Sequence, residues 1–93
     1  CFQNQISKLD PISNLINLKL LNCIDNEISD LSAISSLSNL TFLGMHENAV
    51  RTLQPIKNLM KNKLSSIWIR DNQISKEEMT EYELEFPLVN FKH

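Results

Sequence analysis

The chain is poor in the residues that make turns and cross-links. Its 93 residues include one glycine, three prolines and two cysteines. A fold built on many β-hairpins needs residues with positive φ at its turns, and glycine provides them most readily. Two cysteines are too few for the disulfide framework of a small cysteine-rich domain. These shortages argue against a meander of hairpins and against a disulfide-stapled scaffold.

The sequence also lacks a strong charge of either sign and a long apolar run. Its formal net charge is −2, so no basic face is forced and we predict no nucleic-acid partner. No segment approaches the roughly 18 to 20 apolar residues that cross a bilayer, so we predict no membrane insertion. The chain begins at Cys1 and shows no signal-peptide pattern, and we expect the start of the natural protein to be missing.

What the sequence has instead is an internal repeat. Four asparagines open similar segments at separations of 22, 22 and 24 residues, and they are Asn4, Asn26, Asn48 and Asn72. Behind each asparagine apolar residues recur at fixed spacings, which in the second copy are Ile28, Leu31, Ile34, Leu37, Leu40, Leu43 and Met45. The third copy keeps this register up to Leu59 and slips by two residues through 60–63. Such a period is the signature of a solenoid.

Three segments resemble the leucine-rich-repeat signature L-x-x-L-x-L-x-x-N. They are Leu18 to Asn26, Leu40 to Asn48 and Leu64 to Asn72. The resemblance covers nearly the whole chain and implies an α/β fold, a right-handed solenoid with a parallel β-sheet on its concave face and 3₁₀ or short helical segments on its convex face. We therefore expect one domain over residues 1–93, with about four repeats and cut mid-repeat at both ends.

The repeat is similar to two groups of leucine-rich-repeat proteins. One is the bacterial surface internalins. The other is an intracellular class that includes a protein phosphatase 1 regulator, a dynein light chain and the spliceosomal A-prime protein. The second group implies a cytoplasmic scaffold, adaptor or regulatory subunit, and we favour it. The first implies an extracellular adhesin that grips a host receptor, and the recognition part of a larger enzyme is a third alternative. Each implies a protein partner on the concave face, no catalysis by the array itself and no cofactor, and we expect a monomer.

The two cysteines bear on the compartment. Cys1 and Cys23 occupy the same core position in adjacent repeats. Neighbouring strands lie about 4.8 Å apart, within the Cα separation of about 4.4 to 6.8 Å that a disulfide spans. Both sulfurs replace core leucines, however, and a buried free cysteine behaves as a small hydrophobe. We predict two free thiols, which favours a reducing, intracellular compartment.

The last repeat departs from the pattern. Ser75 and Glu78 have the spacing of a helix capping box, and Pro87 stops the segment that follows. Met79, Tyr82 and Phe86 fall on one helical face. We predict a short helix over 75–86 and a final strand over 88–92. Counting from Asn72, three residues should take the core positions of Leu40, Leu43 and Met45, and they are Phe86, Val89 and Phe91.

Alternation along the short strands predicts which side chains face the core. The inward set is Leu21, Cys23, Leu43, Met45, Ile67 and Ile69. The outward set forms columns across the sheet. One column is Leu20, Phe42, Ser66 and Leu88, and the next is Asn22, Gly44, Trp68 and Asn90. A third is Phe2, Ile24, His46, Arg70 and Lys92, and beside it lie Gln3, Asp25, Glu47 and Asp71. The ladder asparagines, where the chain leaves each strand, are predicted to be structural because a buried amide both donates and accepts.

These columns contain the predicted partner-binding surface. It comprises Leu20, Asn22, Ile24, Asp25, Phe42, Gly44, His46, Glu47, Ser66, Trp68, Arg70 and Asp71. Trp68 and its apolar neighbours form an exposed patch, and such patches mark interaction sites, where tryptophan and arginine are enriched. The alternative is that Phe2, Leu20 and Ile24 only cover one end of the fragment or pack on missing repeats. The acidic column offers too few ligands for calcium, so no metal is predicted. His46 has no nucleophile in reach and is expected to be a contact residue.

Overall fold

The computed structural model describes Leu9 and residues 12–93. Four parallel strands stand side by side in chain order. They are β1 (Leu20–Asn22), β2 (Phe42–Gly44), β3 (Ser66–Trp68) and β4 (Asn90–Lys92). The connections contain 3₁₀ turns at Ser32–Ile34 and Gln54–Ile56, helix α1 (Lys57–Met60) and helix α2 (Lys76–Glu85). Each strand therefore pairs with the strand of the preceding repeat, as in a solenoid.

The core lies between the sheet and the connecting segments. Leu43 and Ile67 point inward from the middle of their strands and are fully buried, while Leu21 is 8% exposed. Two residues further on, Cys23, Met45 and Ile69 are buried as well. The connections contribute a second row of aliphatic side chains, which includes Ile34, Leu37, Ile56 and Leu59. The predicted alternation is confirmed for the described strands.

Two ladder asparagines tie neighbouring repeats together. The amide nitrogen of Asn48 donates to the Cys23 carbonyl at 2.8 Å, and its oxygen accepts from the Ile28 amide at 3.0 Å. Asn72 repeats this with the Met45 carbonyl at 2.7 Å and the Val50 amide at 2.9 Å. Each side chain thus satisfies backbone groups that the sheet leaves behind. The structural role predicted for these residues is confirmed, and Asn4 lies outside the described residues.

Cys23 corrects one prediction. It is fully buried and disulfide-bonded, so the expectation of a free thiol is wrong. The other cysteine of the sequence, Cys1, lies outside the described residues. The physical reason is that burial in an aliphatic core decides where a thiol packs and does not prevent its oxidation to a disulfide.

The last repeat differs from the prediction in register. Phe91 pairs with Ile67, which pairs with Leu43, so the predicted equivalences of Phe91 with Met45 and of Val89 with Leu43 are both wrong. The strand begins at Asn90, and Leu88 precedes it and is 95% exposed. In the repeats that contain α1 and α2 the central strand residue follows the ladder asparagine by 19 positions, against 17 positions in the repeat with a 3₁₀ turn alone. An α-helix rises about 1.5 Å per residue and a 3₁₀ helix about 2.0 Å, so a helical connection needs more residues for the same span.

Helix α2 is anchored by its cap and by a polar cluster. The Ser75 hydroxyl accepts from the Glu78 amide at 3.1 Å, which confirms the predicted start of the helix. The Glu78 carboxylate accepts from the Thr52 hydroxyl at 2.6 Å, from the Leu53 amide at 3.3 Å, and from the Tyr82 hydroxyl in a short hydrogen bond. Burial opposes ionisation of Glu78, but these hydrogen bonds outweigh it and lower its pKa. Burial, and then the bond to Glu78, raises the pKa of Tyr82 to about 12.

Candidate functional site

Trp68 lies on the outward face of the sheet, as alternation predicts, and packs into a cluster there. The Phe42 ring meets it edge to face with ring centres 4.8 Å apart and an interplanar angle of 82°. The His46 ring stacks on it at 5.3 Å with an angle of 13°. The ammonium of Lys92 stands 4.8 Å from the centre of a Trp68 ring. We call Phe42, His46 and Trp68 the aromatic cluster. Such contacts hold an indole in one orientation.

Gly44 makes room for this cluster. It pairs directly with Trp68 across the sheet, and it separates Phe42 from His46 along the chain. A Cβ atom on Gly44 would come within 2.9 Å of the Asn22 Oδ1 atom and within 3.1 Å of the Phe42 ring. The backbone of Gly44 has no positive φ. The only glycine of the sequence is therefore required for space and not for backbone freedom.

His46 is buried, which the sequence did not indicate. His46 is only 7% exposed. Its Nδ1 atom accepts a hydrogen bond from the Arg70 amide at 2.9 Å. Burial, followed by the charge of Arg70, lowers the pKa of His46, and Lys92 acts in the same direction. Asp71 and Glu47 oppose that shift. The expected exposure of His46 is wrong because the Trp68 ring and the Arg70 backbone cover it, and its role as a partner contact stays a prediction.

The remaining predicted site residues share the concave side but differ in exposure. Leu20 is 59% exposed. The half-buried residues are Asn22, Ile24, Phe42, Ser66 and Trp68, and the exposed ones are Asp25, Glu47, Arg70 and Asp71. The predicted columns are correct through β3 and wrong in β4. Asn90 pairs with Ser66, Lys92 pairs with Trp68, and Leu88 joins no column. Phe2 and Gln3 lie outside the described residues.

The acidic column occupies a special backbone position. Asp25, Glu47 and Asp71 have φ values of 61°, 60° and 58°, so each is in the left-handed region. The next residue in each case is a ladder asparagine. The two ion pairs among the described residues are Lys57–Glu85 and His93–Glu83, and neither involves these carboxylates. In the same part of the chain no group of acidic, histidine or cysteine side chains is arranged to hold a metal. The column is a solvated edge beside the aromatic cluster.

One signal of this arrangement was present in the repeat alignment. The lone glycine and the lone tryptophan fall in the same column of adjacent repeats, so a missing side chain stands opposite the largest one. In the structure the Phe42 and Asn22 side chains fill the space at Gly44, and the Trp68 ring reaches back to the preceding repeat, where it stacks on His46. The burial of His46 by the same ring follows from it, because His46 is the next outward residue after Gly44.

Comparison with solved structures supports the fold. The internalin inlF of Listeria monocytogenes superposes with a TM-score of 0.82 at 30% identity, over 95% of this chain and 25% of that one. Internalin C2 of the same species gives 0.68 at 33% identity, over 78% and 31%. A leucine-rich-repeat protein of Leptospira interrogans gives 0.73 at 23% identity, over 98% and 29%. No protein-family model and no curated protein matches the sequence.

The repeats, the parallel sheet and these neighbours define the class: the chain is a leucine-rich-repeat protein with the solenoid fold. Within that class it is similar to the two Listeria internalins and spans between a quarter and a third of their length. Arrays of this fold are in general protein-interaction modules that present an extended concave face. Among residues 12–93 there is no helix both long enough and apolar enough to cross a membrane.

Proposed function

We propose that this chain is a non-catalytic, monomeric binding module that holds another protein on its concave sheet. The observation that carries the proposal is the aromatic cluster. An indole and a phenyl ring stand half-buried on the open face of the sheet, beside the exposed side chain of Leu20. Aromatic anchors held rigidly on a regular sheet are typical of binding hot spots.

We further propose that the module works outside the reducing cytosol, as part of an internalin-like surface protein. Two observations support this choice over the intracellular alternative. Cys23 is disulfide-bonded, and stable disulfides belong mainly to oxidising compartments. Two of the structural neighbours are internalins, the group whose resemblance implies a bacterial surface adhesin. The disulfide also removes the expectation of free thiols, which favoured the intracellular alternative.

The test compares two leucine variants of similar chemistry. Leu20→Asp places a charge on the concave face, and Leu84→Asp places one on the outer side of α2, where Leu84 is 79% exposed. Both leucines are exposed, so both variants should fold. Wild-type protein and each variant are immobilised and used to capture proteins from host-cell surface extracts and from cytosolic lysate, with quantification of each captured protein. Trp68 itself is a poorer probe because its removal uncovers His46.

The proposal predicts a protein from the surface extract that wild type and Leu84→Asp retain and Leu20→Asp loses. Equal capture by all three would place binding elsewhere. A partner found only in the cytosolic lysate would contradict the proposed location while leaving the concave face as the binding surface. Light scattering of the free protein at the mass of one chain supports the monomer, and a stable dimer would overturn that part.

A further inference from the structure

The orientation of Trp68 depends on a residue that is itself hidden from solvent. We propose that His46 is a positioning residue for the concave binding surface. Its neutral imidazole, seated beside Gly44, holds the Trp68 indole in place, and protonation of that imidazole releases it. This inference rests on the proposed function in one respect only, namely that Trp68 belongs to the binding face. The orientation itself is a property of the free protein.

The geometry fixes the imidazole at two points. The Nδ1 atom accepts the Arg70 amide hydrogen at 2.9 Å, which ties the ring to the segment that leaves β3. The plane of the ring lies within 13° of the Trp68 plane, with ring centres 5.3 Å apart. Trp68 and Arg70 are two residues apart, so His46 contacts both outward positions of the same chain segment. His46 therefore bridges one repeat to the indole of the next.

Protonation removes the first of these contacts. A neutral imidazole has one donor nitrogen and one acceptor nitrogen, whereas an imidazolium has two donors. If Nδ1 gains a proton, it faces the Arg70 N–H as donor against donor, and a charge is left in a site that is mostly closed to water. Arg70, in the segment that leaves β3, and Lys92 in β4 add repulsion, and Asp71 and Glu47, which follow Arg70 and His46 in the chain, reduce it. The ring then has to leave its site, and the stacked indole loses its support.

Gly44 is the second residue on which the orientation of the Trp68 indole depends. The Phe42 ring and the Asn22 amide already fill the space above it, so any side chain there displaces them. A valine suits a β-strand better than glycine does. Gly44→Val should therefore keep the strand while pushing the cluster apart. This variant separates the orientation of the indole from the integrity of the sheet.

The experiment uses Trp68 fluorescence, which has a single source because the sequence has one tryptophan. Emission wavelength and acrylamide quenching are followed from neutral to acid pH, with far-UV circular dichroism on the same samples. His46→Phe keeps a flat ring and cannot be protonated. His46→Gln keeps an acceptor but has no ring to stack. His93→Gln is the control, since His93 lies against Glu83 at 3.3 Å and not in the aromatic cluster.

The expected result is an acid transition in wild type and in the His93→Gln control, with emission moving to longer wavelength and quenching rising severalfold while circular dichroism is unchanged. Neither His46 variant shows that transition. His46→Gln and Gly44→Val have the exposed indole already at neutral pH. A transition of equal size in His46→Phe, or none in wild type, would overturn the proposal.

A second measurement at neutral pH keeps the proposal testable if acid unfolds the chain. Nitrogen chemical shifts of His46 should show an unprotonated Nδ1 and a protonated Nε2, and the Arg70 amide should exchange slowly with solvent. In His46→Phe that amide should exchange much faster. An Arg70 amide that exchanges equally in both proteins would contradict the bridge. The fluorescence and amide-exchange measurements use the free protein and need no partner. If they fail, the proposal of concave-face binding still stands, and if the capture experiment fails, the proposed role of His46 still stands.

Discussion

The repeat between β1 and β2 and the repeat between β3 and β4 reach the same strand spacing by different means. The first crosses the convex side with a single 3₁₀ turn, and the second uses the ten-residue helix α2. In the first, the buried asparagine Asn48 and aliphatic side chains join neighbouring repeats. In the second, the Glu78 carboxylate and the Tyr82 hydroxyl of α2 join the helix to the preceding repeat at Leu53. The comparison shows that the parallel strand pairing is the same in both repeats although their connecting segments differ.

The largest expected effect comes from the regular part. Leu43 is fully buried at the centre of β2, so Leu43→Ala should cost about 2 to 5 kcal/mol of unfolding free energy. Denaturant titration measures the loss. Leu84→Ala on the exposed side of α2 is the control and should stay within about 0.5 kcal/mol. A small effect at Leu43 would show that the regular repeat does not carry the stability of the array.

Next in size is the ladder asparagine. Asn48→Ala leaves the buried Ile28 amide without its side-chain acceptor and removes one of the two side-chain donors to the Cys23 carbonyl, which should cost about 2 to 3 kcal/mol. Asn39→Ala removes an exposed bond to the Ile16 carbonyl and should cost much less. Thermal or denaturant unfolding of the two variants checks this. Equal losses would mean that burial of the amide is irrelevant, contrary to the account.

The helical repeat is tested at Tyr82. The Tyr82→Phe change keeps the packing and removes the hydroxyl that donates to Glu78 and accepts from the Leu53 amide at 3.2 Å. We expect a loss of about 1 to 2 kcal/mol, because Glu78 still accepts from the same amide. Lys57→Met removes the half-exposed partner of Glu85 and should change stability by less than about 1 kcal/mol. A Tyr82→Phe protein as stable as wild type would show that the polar cluster does not hold α2.

Acid should affect the two regions in sequence. The folded pKa of His46 lies below its ordinary value of 6.5, so its contribution is complete above that pH and is lost as the pH falls below it. The folded pKa of Glu78 lies below its ordinary value of 4.5, so its contribution is lost only at still lower pH. Amide exchange around Arg70 should therefore rise before exchange in α2 as acid is added. The reverse order would break this part of the comparison.

The smallest expected effect is a gain. Glu47 holds a left-handed backbone conformation that costs most residues about 1 to 2 kcal/mol and costs asparagine less. We expect Glu47→Asn to stabilise the protein by up to about 1 kcal/mol. Glu77→Asn in the first turn of α2 is the matched control and should be slightly destabilising, because it removes a favourable charge at the helix N-terminus. Destabilisation by Glu47→Asn would show that the carboxylate has a structural role.

Particular residues show how far the sequence could predict this structure. The spacing of the asparagines and leucines predicted the strands, the inward set and the ladder, because a periodic core determines the phase of alternation. The register of β4 could not be counted, because a helix replaces the turn and takes more residues over the same distance. Phe86 and Val89 also have the apolar spacing expected of a repeat whose central strand residue follows its asparagine by 17 positions, so they favoured the wrong register. The error of two residues in the last columns follows from this.

The sequence predicted which side chains share the concave face of the sheet, but not how those side chains contact one another. Alternation decides that Trp68 and His46 point outward, and it cannot decide that one covers the other. That depends on the Trp68 ring, which reaches back to the preceding repeat to stack on His46, while Gly44 leaves room for Phe42 and Asn22. The disulfide at Cys23 escaped prediction for a related reason. A repeat pattern gives the position of a thiol and says nothing of its oxidation state.

We propose the concave aromatic cluster as the surface that binds a partner, and one signal can test this directly. The single indole N–H signal of Trp68 in a nitrogen-labelled sample reports on this surface alone, and the amides of α2 report on the opposite side. On addition of a captured partner, the account predicts a shift or broadening of the Trp68 signal with α2 unchanged. A partner that shifts the α2 amides and leaves the indole signal in place would contradict it.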